Sequence, residues 1–217
     1  MGLLFIMRTV AYRFPAELSS ILHIVWGELE DAVKDRTHGF HTGSLATLDE
    51  GGDPDNRVCT LRRVERDERL LMTHADIRAP KALQVLARMR GQSRMPAAWV
   101  FYDAGRRLQV RAKGTMHVER DTRLVDEQWE RTSVVSRRCY VAPHAPGTVT
   151  SELDVNIEPA LRDRRPEMEE TLAGRANFCV LVTRVDELDA MELAADGHRR
   201  AGFVWADGEV RGEWRAP

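Results

Sequence analysis

Short turn signals divide this chain into runs of alternating apolar and polar residues. Asp207-Gly208 lies between two such runs and is typical of a two-residue β-hairpin. Segments 49–54 and 103–105 combine Asp with Gly or Pro in the same way. Strands joined mainly by hairpins, with helices between groups of strands, predict a mainly β (α+β) fold, an antiparallel barrel with peripheral helices. The predicted strands cover residues 44–48, 57–64, 69–73, 97–102, 108–118, 177–184, 187–193, 201–205 and 209–214.

Helical periodicity is confined to a few segments. Apolar residues from Leu18 to Val33 recur at spacings of three and four, which indicates an amphipathic helix that begins after Pro15. A second helix is expected to begin at a proline, which suits the first helical turn. The predicted helices span residues 16–34, Pro80 to a stop at Gly91, 121–136 and, inside an irregular insertion at 149–174, about 166–172.

The length and charge of the chain restrict its class. The 217 residues are 43% hydrophobic and 30% charged, which is typical of one globular domain over residues 1–217, with residues 1–15 as a flexible leader. The 32 basic and 34 acidic residues nearly cancel, so we expect no nucleic-acid or membrane partner. The apolar run 3–7 is too short to span a membrane, and it lacks the charged lead and the cleavage site of a signal peptide.

Metal and redox motifs are sparse. The three cysteines are far apart and form no CxxC pair, which favours a reducing, cytoplasmic location without structural zinc. His38 and His41 are three residues apart, but no third ligand lies nearby, so we predict no metal site. Sequence motifs of phosphate-loop, Rossmann, zinc-protease and serine-hydrolase proteins are absent.

Two basic segments are candidates for a binding site. On a strand, Arg57 and Arg63 would lie at the ends of one face, with main-chain groups between them that suit a flat polar ring. From Thr73 to Lys81 the chain leaves a strand and enters a helix, where Arg78 and Lys81 join the free amides of the helix start. A lysine in a first helical turn is otherwise unfavourable, so the segment predicts a phosphate site. A solvated basic loop is the alternative.

The order and spacing of four segments resemble the FMN-binding split barrel of the pyridoxamine 5'-phosphate oxidase family. Each segment carries part of a family motif, although Arg62 stands where the family has Lys. The resemblance runs from about Ser44 to the end of the chain, and residues 149–174 match poorly. The four segments are Arg57 to Arg62, Met72 to Lys81, Leu108 to Gly114 and Glu213 to Pro217.

This resemblance implies FMN as the cofactor and a homodimer that buries the flavin between its subunits. It assigns Arg57, Lys81, Arg78 and Thr73 to the phosphate and Gln109 to the ring. Residues near the carboxy end are implied to complete the partner's site. The flavin performs the redox chemistry, and the protein binds and orients it. The residues assigned to the cofactor are Arg57, Val58, Cys59, Thr60, Leu61, Arg62, Met72, Thr73, Arg78, Lys81, Gln109, Met191, Arg199 and Arg200.

The substrate motifs depart from those of the true oxidases. In the register set by Ser136, Gln128 replaces a tyrosine and Thr132 replaces an arginine of the family's pyridoxal phosphate site. Loss of such charge-assisted contacts should weaken binding of that substrate. We therefore expect an FMN-dependent oxidoreductase on an unidentified small molecule. The alternatives are a genuine pyridoxamine or pyridoxine phosphate oxidase, a flavin-storage or flavin-sensing module, and a haem-binding relative that would use His144 or His198.

Overall fold

The computed structural model describes residues 13–90 and 95–217, and all nine strands within these residues belong to one antiparallel sheet. The predicted antiparallel, β-dominated class with peripheral helices is therefore confirmed. The strands are β1 (Thr42–Leu48), β2 (Pro54–Thr60), β3 (Arg63–Glu65), β4 (Leu70–Asp76), β5 (Met95–Asp103), β6 (Leu108–Glu119), β7 (Phe178–Glu192), β8 (Arg199–Ala206) and β9 (Glu209–Arg215).

The sheet runs in the order β2-β1-β5-β6-β7-β4-β3, and β8 and β9 extend it from the far half of β7. Between its described ends, β2 and β3, there is no strand pairing, so the sheet curves without closing. The chain crosses this split at two consecutive residues. The Leu61 N–H donates to the His41 carbonyl on the β1 side, and the Arg62 N–H donates to the Met72 carbonyl on the β4 side.

Two predictions of strand boundaries are wrong, one because of the split in the sheet and one because of a β-bulge. The single strand expected over 57–64 is broken at Leu61 and Arg62, where the chain changes partners. The two strands expected over 177–184 and 187–193 are one strand, β7, with a bulge at Asp186 opposite Gly114. A Cβ atom on Gly114 would lie 1.8 Å from the Arg184 carbonyl oxygen, so only glycine fits this close approach.

Five helices lie around the sheet within the described residues: α1 (Leu18–Lys34), α2 (Pro80–Met89), α3 (Arg123–Arg131), α4 (Val134–Arg137) and α5 (Met168–Thr171). The helix expected over 121–136 is divided into α3 and α4, because Thr132 and Ser133 adopt extended backbone conformations. The expected stop at Gly91 lies outside the described residues. Segment 149–174 has only short helical turns. None of the described helices is long and apolar enough to cross a membrane.

The apolar side chains form two clusters on opposite faces of β4. The main core lies inside the curved sheet and is covered by α1 and α2, with Leu29, Trp99 and Phe203 fully or almost fully buried. The second cluster lies under α3, where Trp129 packs against Phe178 with ring centroids 5.2 Å apart. Alternation along β4 directs successive side chains to the two clusters in turn.

Candidate functional site

The amino end of α2 is a cationic helix start. Ala79 occupies the N-cap position without a side-chain hydrogen bond, Pro80 follows it, and the first turn contains no acidic residue. Lys81 is half-buried here, and its ammonium group has no hydrogen-bond or ion-pair partner within residues 13–90 and 95–217. The Ala82 and Leu83 N–H groups bond to the Ala79 carbonyl, which leaves the Lys81 N–H free in this turn. This N–H, the helix dipole and the unpaired ammonium group together suit an anion.

Arg57 lies near this helix start but is already held by neighbouring groups. Its guanidinium donates to Thr47 Oγ1 at 2.6 Å and to the Leu45 carbonyl at 3.2 Å, and it forms an ion pair with Asp55. It also contacts Gln84 Oε1 on α2 at 3.3 Å. These bonds fix the guanidinium between β1, β2 and α2.

The positive charge of Arg78 is neutralised more completely than that of Arg57. Its Nε and Nη2 atoms donate to the two carboxylate oxygens of Asp76 at 3.0 and 2.7 Å, and the guanidinium also contacts the Ala142 carbonyl. The Asp76 side chain is only 6% exposed. The hydrogen bonds that its guanidinium donates to Asp76 raise the pKa of Arg78 above its usual value. Arg78 therefore ties the α2 start to the segment that follows α4.

The strand that leads from Arg57 towards the split alternates as the sequence predicts. Cys59 and Leu61 are buried in the main core, whereas Val58 is 72% exposed on the opposite face. Burial raises the pKa of the Cys59 thiol, and the positive charges of Lys81 and Arg57 oppose that rise. Cys59 thus lies within the field of both cations and remains a protonated thiol.

The other sequence-assigned residues fall in different places. Gln109, Met191 and Arg200 are consecutive partners across β6, β7 and β8, so they form one row on the sheet. Arg200 donates to both oxygens of the buried Asp189 at 3.0 Å. Arg199 donates instead to the buried Glu192 at 2.9 Å. Alternation therefore places Arg200, not Arg199, in the row with Gln109.

Met72 and Thr73 are adjacent and face opposite ways. Met72 packs in the second apolar cluster under α3, and Thr73 is 2% exposed on the main-core face of β4.

His144 and His198 both lie in exposed loops, and His144 is 3.6 Å from Asp154. The Nδ1 atom of His38 accepts the Phe40 N–H, so its Nε2–H donates to Glu28 Oε2 at 2.8 Å. Within the described ranges no group of three His, Cys, Asp or Glu residues could hold a metal ion.

A cavity of about 580 Å³ opens beside the split in the sheet, and we call it the Arg62 cavity. Leu61 and Arg62 lie on one side of it. The end of α1, β3 and the α3–α4 turn form the other sides. The lining comprises Glu30, Val33, Lys34, Arg36, Leu61, Arg62, Arg63, Val64, Glu65, His74, Gln128, Arg131, Thr132, Ser133 and Ser136.

Within the Arg62 cavity, His74 and Gln128 form a buried polar pair. His74 Nε2 lies 3.2 Å from Gln128 Oε1, and burial lowers the pKa of His74 to about 4. The ring is therefore neutral near pH 7 and donates its Nε2–H to the amide oxygen. This bond leaves the amide nitrogen of Gln128 as a buried donor without a partner among the described residues.

Sequence reasoning missed several residues of this cavity. Arg36 follows α1, and Arg131 is the last residue of α3. These helices are far apart in the chain, so no local pattern connects the two residues with Arg62. His74 lies in a predicted site segment, but only its strand direction shows that it faces Gln128. The buried carboxylates Asp76, Asp189 and Glu192 were equally absent from the predicted site.

A family model and solved structures of known proteins match the sequence and the fold of this chain. Residues 24–120 match the family model described as pyridoxamine 5'-phosphate oxidase, FMN-binding domain. A pyridoxamine 5'-phosphate oxidase-related, FMN-binding protein from Nostoc punctiforme PCC 73102 superposes with a TM-score of 0.66 at 22% identity, over 94% of this chain and 98% of its own. No curated protein matches by sequence.

A second solved structure superposes on this chain over a similar extent. PhzG from Burkholderia lata 383, in complex with tetrahydrophenazine-1-carboxylic acid, superposes with a TM-score of 0.63 at 16% identity, over 94% of both chains. At these identities the two superpositions show a common fold. The family match covers residues 24–120, and over most of its length the chain has the split-barrel fold of these pyridoxamine 5'-phosphate oxidase-like proteins.

Proposed function

We propose that this protein is an FMN-dependent oxidoreductase that acts on a small molecule at the Arg62 cavity. The observation that carries the proposal is the Lys81 ammonium group, which has no partner among the described residues, at a helix start without a side-chain cap, close to β2. The segment from Arg57 to Arg62 begins near this cation and ends at a ligand-sized cavity. The family match, whose description names FMN, supports this cofactor.

The residues present fit an FMN phosphate at the α2 start. Lys81 would hold the phosphate through its ammonium group and its main-chain N–H, and Arg57 would contribute its positive charge while bonded to Asp55. Main-chain groups of residues 58–61 would line the ring edge, and Arg62 would approach the ring. The bound flavin would supply hydride acceptance and donation, and the chain would orient it beside the cavity.

We further propose that two copies of the chain associate and complete each other's flavin sites. The row of Gln109, Met191 and Arg200 supports this, since these residues lie on a different face of the sheet from Cys59 and Leu61. Tyr102, the strand partner of Gln109, is 51% exposed on the same row. Val100, two residues earlier on β5, is also exposed, and neighbouring apolar side chains on one sheet face are typical of a surface covered by a partner.

Absorption spectroscopy of the purified protein tests the cofactor. We expect the bands of oxidised flavin and the release of FMN on denaturation, identified by mass. The double variant Arg57→Ala/Lys81→Ala should lose the flavin, whereas the control Lys113→Ala should keep it because Lys113 is an exposed lysine on β6. Colourless protein that takes up no added FMN would contradict the proposal.

Turnover assays separate the enzymatic alternatives. Oxygen-dependent oxidation of pyridoxine phosphate would identify a genuine phosphate oxidase, despite Gln128 and Thr132 in the cavity. Reduction of bound flavin by a nicotinamide cofactor would favour a reductase. Flavin that is retained but is not reduced by any donor would indicate a storage or sensing module.

A further inference from the structure

A separate cavity of about 400 Å³ lies at the turn between β3 and β4, and we call it the Arg184 pocket. It shares no lining residue with the Arg62 cavity or with the α2 start. The pocket adjoins the first residue of β4, whereas α2 follows the last one, so the two sites are about 20 Å apart at roughly 3.3 Å per strand residue. The lining comprises Asp67, Glu68, Arg69, Leu70, His117 and Arg184.

The turn that forms this pocket is fixed to the sheet by its main chain. Arg69 has a φ of 60°, a left-handed conformation that is uncommon for a residue with a Cβ atom. Its N–H donates to the Arg66 carbonyl at 3.1 Å, and its carbonyl accepts the Val185 N–H at 2.8 Å. Because main-chain groups close the turn, the Arg69 guanidinium remains available for another contact.

Two arginine side chains of the pocket have no counter-ion among the described residues. The Arg184 side chain makes no hydrogen bond or ion pair there, and its Nε atom is buried. The Arg69 guanidinium lies over the Trp205 ring, 5.3 Å from the ring centroid, and also has no hydrogen bond or ion pair there. Burial lowers the pKa of Arg69, the positive charge of Arg184 lowers it further, and Asp186 opposes both effects. The two guanidinium groups therefore lie within each other's field.

The carboxylates of neighbouring strands are paired with other residues. Glu65 lies in the same row as Arg184 across β3, β4 and β7, but it forms its ion pair with Arg63. Glu119 on β6 is bonded to His117 at 2.9 Å. A desolvated guanidinium without a counter-ion is unfavourable unless another group compensates its charge. A ligand with an anionic group would supply that compensation.

The acidic residues of the lining lie further out than the arginines. Asp67 and Glu68 are exposed at the tip of the turn, whereas Arg69 and Arg184 are half-buried. Neither of the two carboxylates has a partner in the part of the chain that the structure describes. The pocket is therefore positive at its inner side and negative at its rim. Complementarity to both charges requires a ligand that carries an anionic and a cationic group.

The size of the pocket and its one apolar residue restrict that ligand further. A volume of about 400 Å³ is within the range of small-molecule sites. Leu70 is half-buried in the lining and offers contact to an aliphatic group. A small molecule with a carboxylate, an ammonium group and a short aliphatic side chain fits these features.

We propose that the Arg184 pocket binds a free aliphatic α-amino acid. Arg184 and Arg69 donate hydrogen bonds to its carboxylate, and its ammonium group lies beside Asp67 and Glu68 at the rim. Leu70 contacts its side chain. This site is additional to the proposed flavin function, and binding there does not depend on a flavin.

Isothermal titration calorimetry of the purified protein tests the ligand class with three probes: L-valine, isovalerate and isobutylamine. Isovalerate lacks the ammonium group of L-valine, and isobutylamine lacks its carboxylate. We expect L-valine to bind and each analogue to bind at least tenfold more weakly, which corresponds to at least about 1.4 kcal/mol. No heat with L-valine would overturn the site, and equal affinity for isovalerate or isobutylamine would overturn the requirement for both charges.

Substitution of the inner cations tests the carboxylate contacts. Arg184→Gln and Arg69→Asn should each weaken L-valine binding tenfold or more, and asparagine tolerates the left-handed conformation at residue 69. Arg107→Asn is a matched control, because Arg107 is an exposed turn residue with a φ of 56° whose carbonyl accepts the Leu193 N–H at 2.8 Å. It should bind L-valine as the wild type does. Wild-type affinity in Arg184→Gln would overturn the site, and far-UV circular dichroism checks the fold of each variant.

Substitution of the rim tests the ammonium contacts. The double variant Asp67→Asn/Glu68→Gln should weaken L-valine binding about threefold or more, as expected for exposed charge pairs, and should not weaken isovalerate binding. Unchanged L-valine affinity, or an equal loss for both ligands, would overturn the role of the rim. Flavin absorbance of the same samples tests the cofactor proposal separately, because none of these residues is proposed to hold FMN.

Discussion

Two cation-rich regions of this molecule differ in how their charges are compensated. At the α2 start, Arg57 is paired with Asp55 and Arg78 with Asp76, and Lys81 is left as the unpaired cation. In the Arg62 cavity, Arg36, Arg62 and Arg131 all lack a described partner. The first region resembles a structural network in which one cation remains for an anion, and the second resembles a binding surface.

This difference shows why the number of arginines near a site is a poor guide to its ligand. A paired guanidinium contributes to folding and offers little charge to a ligand, whereas an unpaired one contributes little to folding and can bind an anion. Binding groups therefore tend to cost stability where they are buried. Substitutions in the two regions should consequently change stability in opposite directions.

The largest effect is expected for Asp76→Ala at the α2 start. Removal of a 6% exposed carboxylate leaves Arg78 without its counter-ion and removes the acceptor of the Arg78 backbone N–H. Loss of one partner of a buried pair is expected to reduce the free energy of unfolding by about 3 kcal/mol. Urea denaturation followed by circular dichroism measures this, and a loss below about 1 kcal/mol would contradict the comparison.

The next effect is a pH dependence of the free energy of unfolding, which arises from His74 in the Arg62 cavity. The pKa of His74 falls from 6.5 in a model peptide to about 4 in the folded protein. The unfolded state therefore binds the proton more tightly, and His74 supports folding fully above pH 6.5. This contribution, about 2 to 3 kcal/mol, is lost as the pH falls from 6.5 to 4.

Urea titrations at several pH values measure this loss, and His74→Gln provides the comparison because it cannot titrate. The variant should show a smaller decrease in the free energy of unfolding between pH 6.5 and 4. Identical pH profiles for the wild type and the variant would show that another group is responsible.

A smaller effect of opposite sign is expected for Arg62→Leu. The substitution removes a half-buried charge that lacks a partner among the described residues and replaces it by a shorter apolar side chain. We expect stability to be unchanged or raised by roughly 1 kcal/mol. A clear destabilisation in urea would mean that Arg62 has a structural role like that of Arg78.

The smallest effect is expected for Arg131→Gln at the cavity mouth. Arg131 is exposed and has no described partner, so the free energy of unfolding should change by less than about 0.5 kcal/mol. A change in stability as large as that of Asp76→Ala would remove the distinction between the two regions.

Much of the fold could be predicted from local patterns. Turn residues such as Asp207-Gly208 indicated hairpins, and the periodicity of residues 18–33 indicated α1. The break at Leu61 and Arg62 could not be predicted, because the alternation of side chains continues up to Leu61 while the hydrogen-bond partners change. The division of the helix at Thr132 and Ser133 was likewise hidden by a polar sequence that suits either conformation.

The candidate site was predicted only in part. The sequence by itself determined that Lys81 lies in the first turn of a helix and that this turn contains no acidic residue. The starting proline and the composition of the turn are local properties. Tertiary structure alone decided which arginines are neutralised and which face a cavity. Asp76 is close to Arg78 in sequence, but Arg36, Arg62 and Arg131 meet only because the split in the sheet lies between α1 and α3. Charge compensation depends on distances between elements, and sequence spacing does not encode those distances.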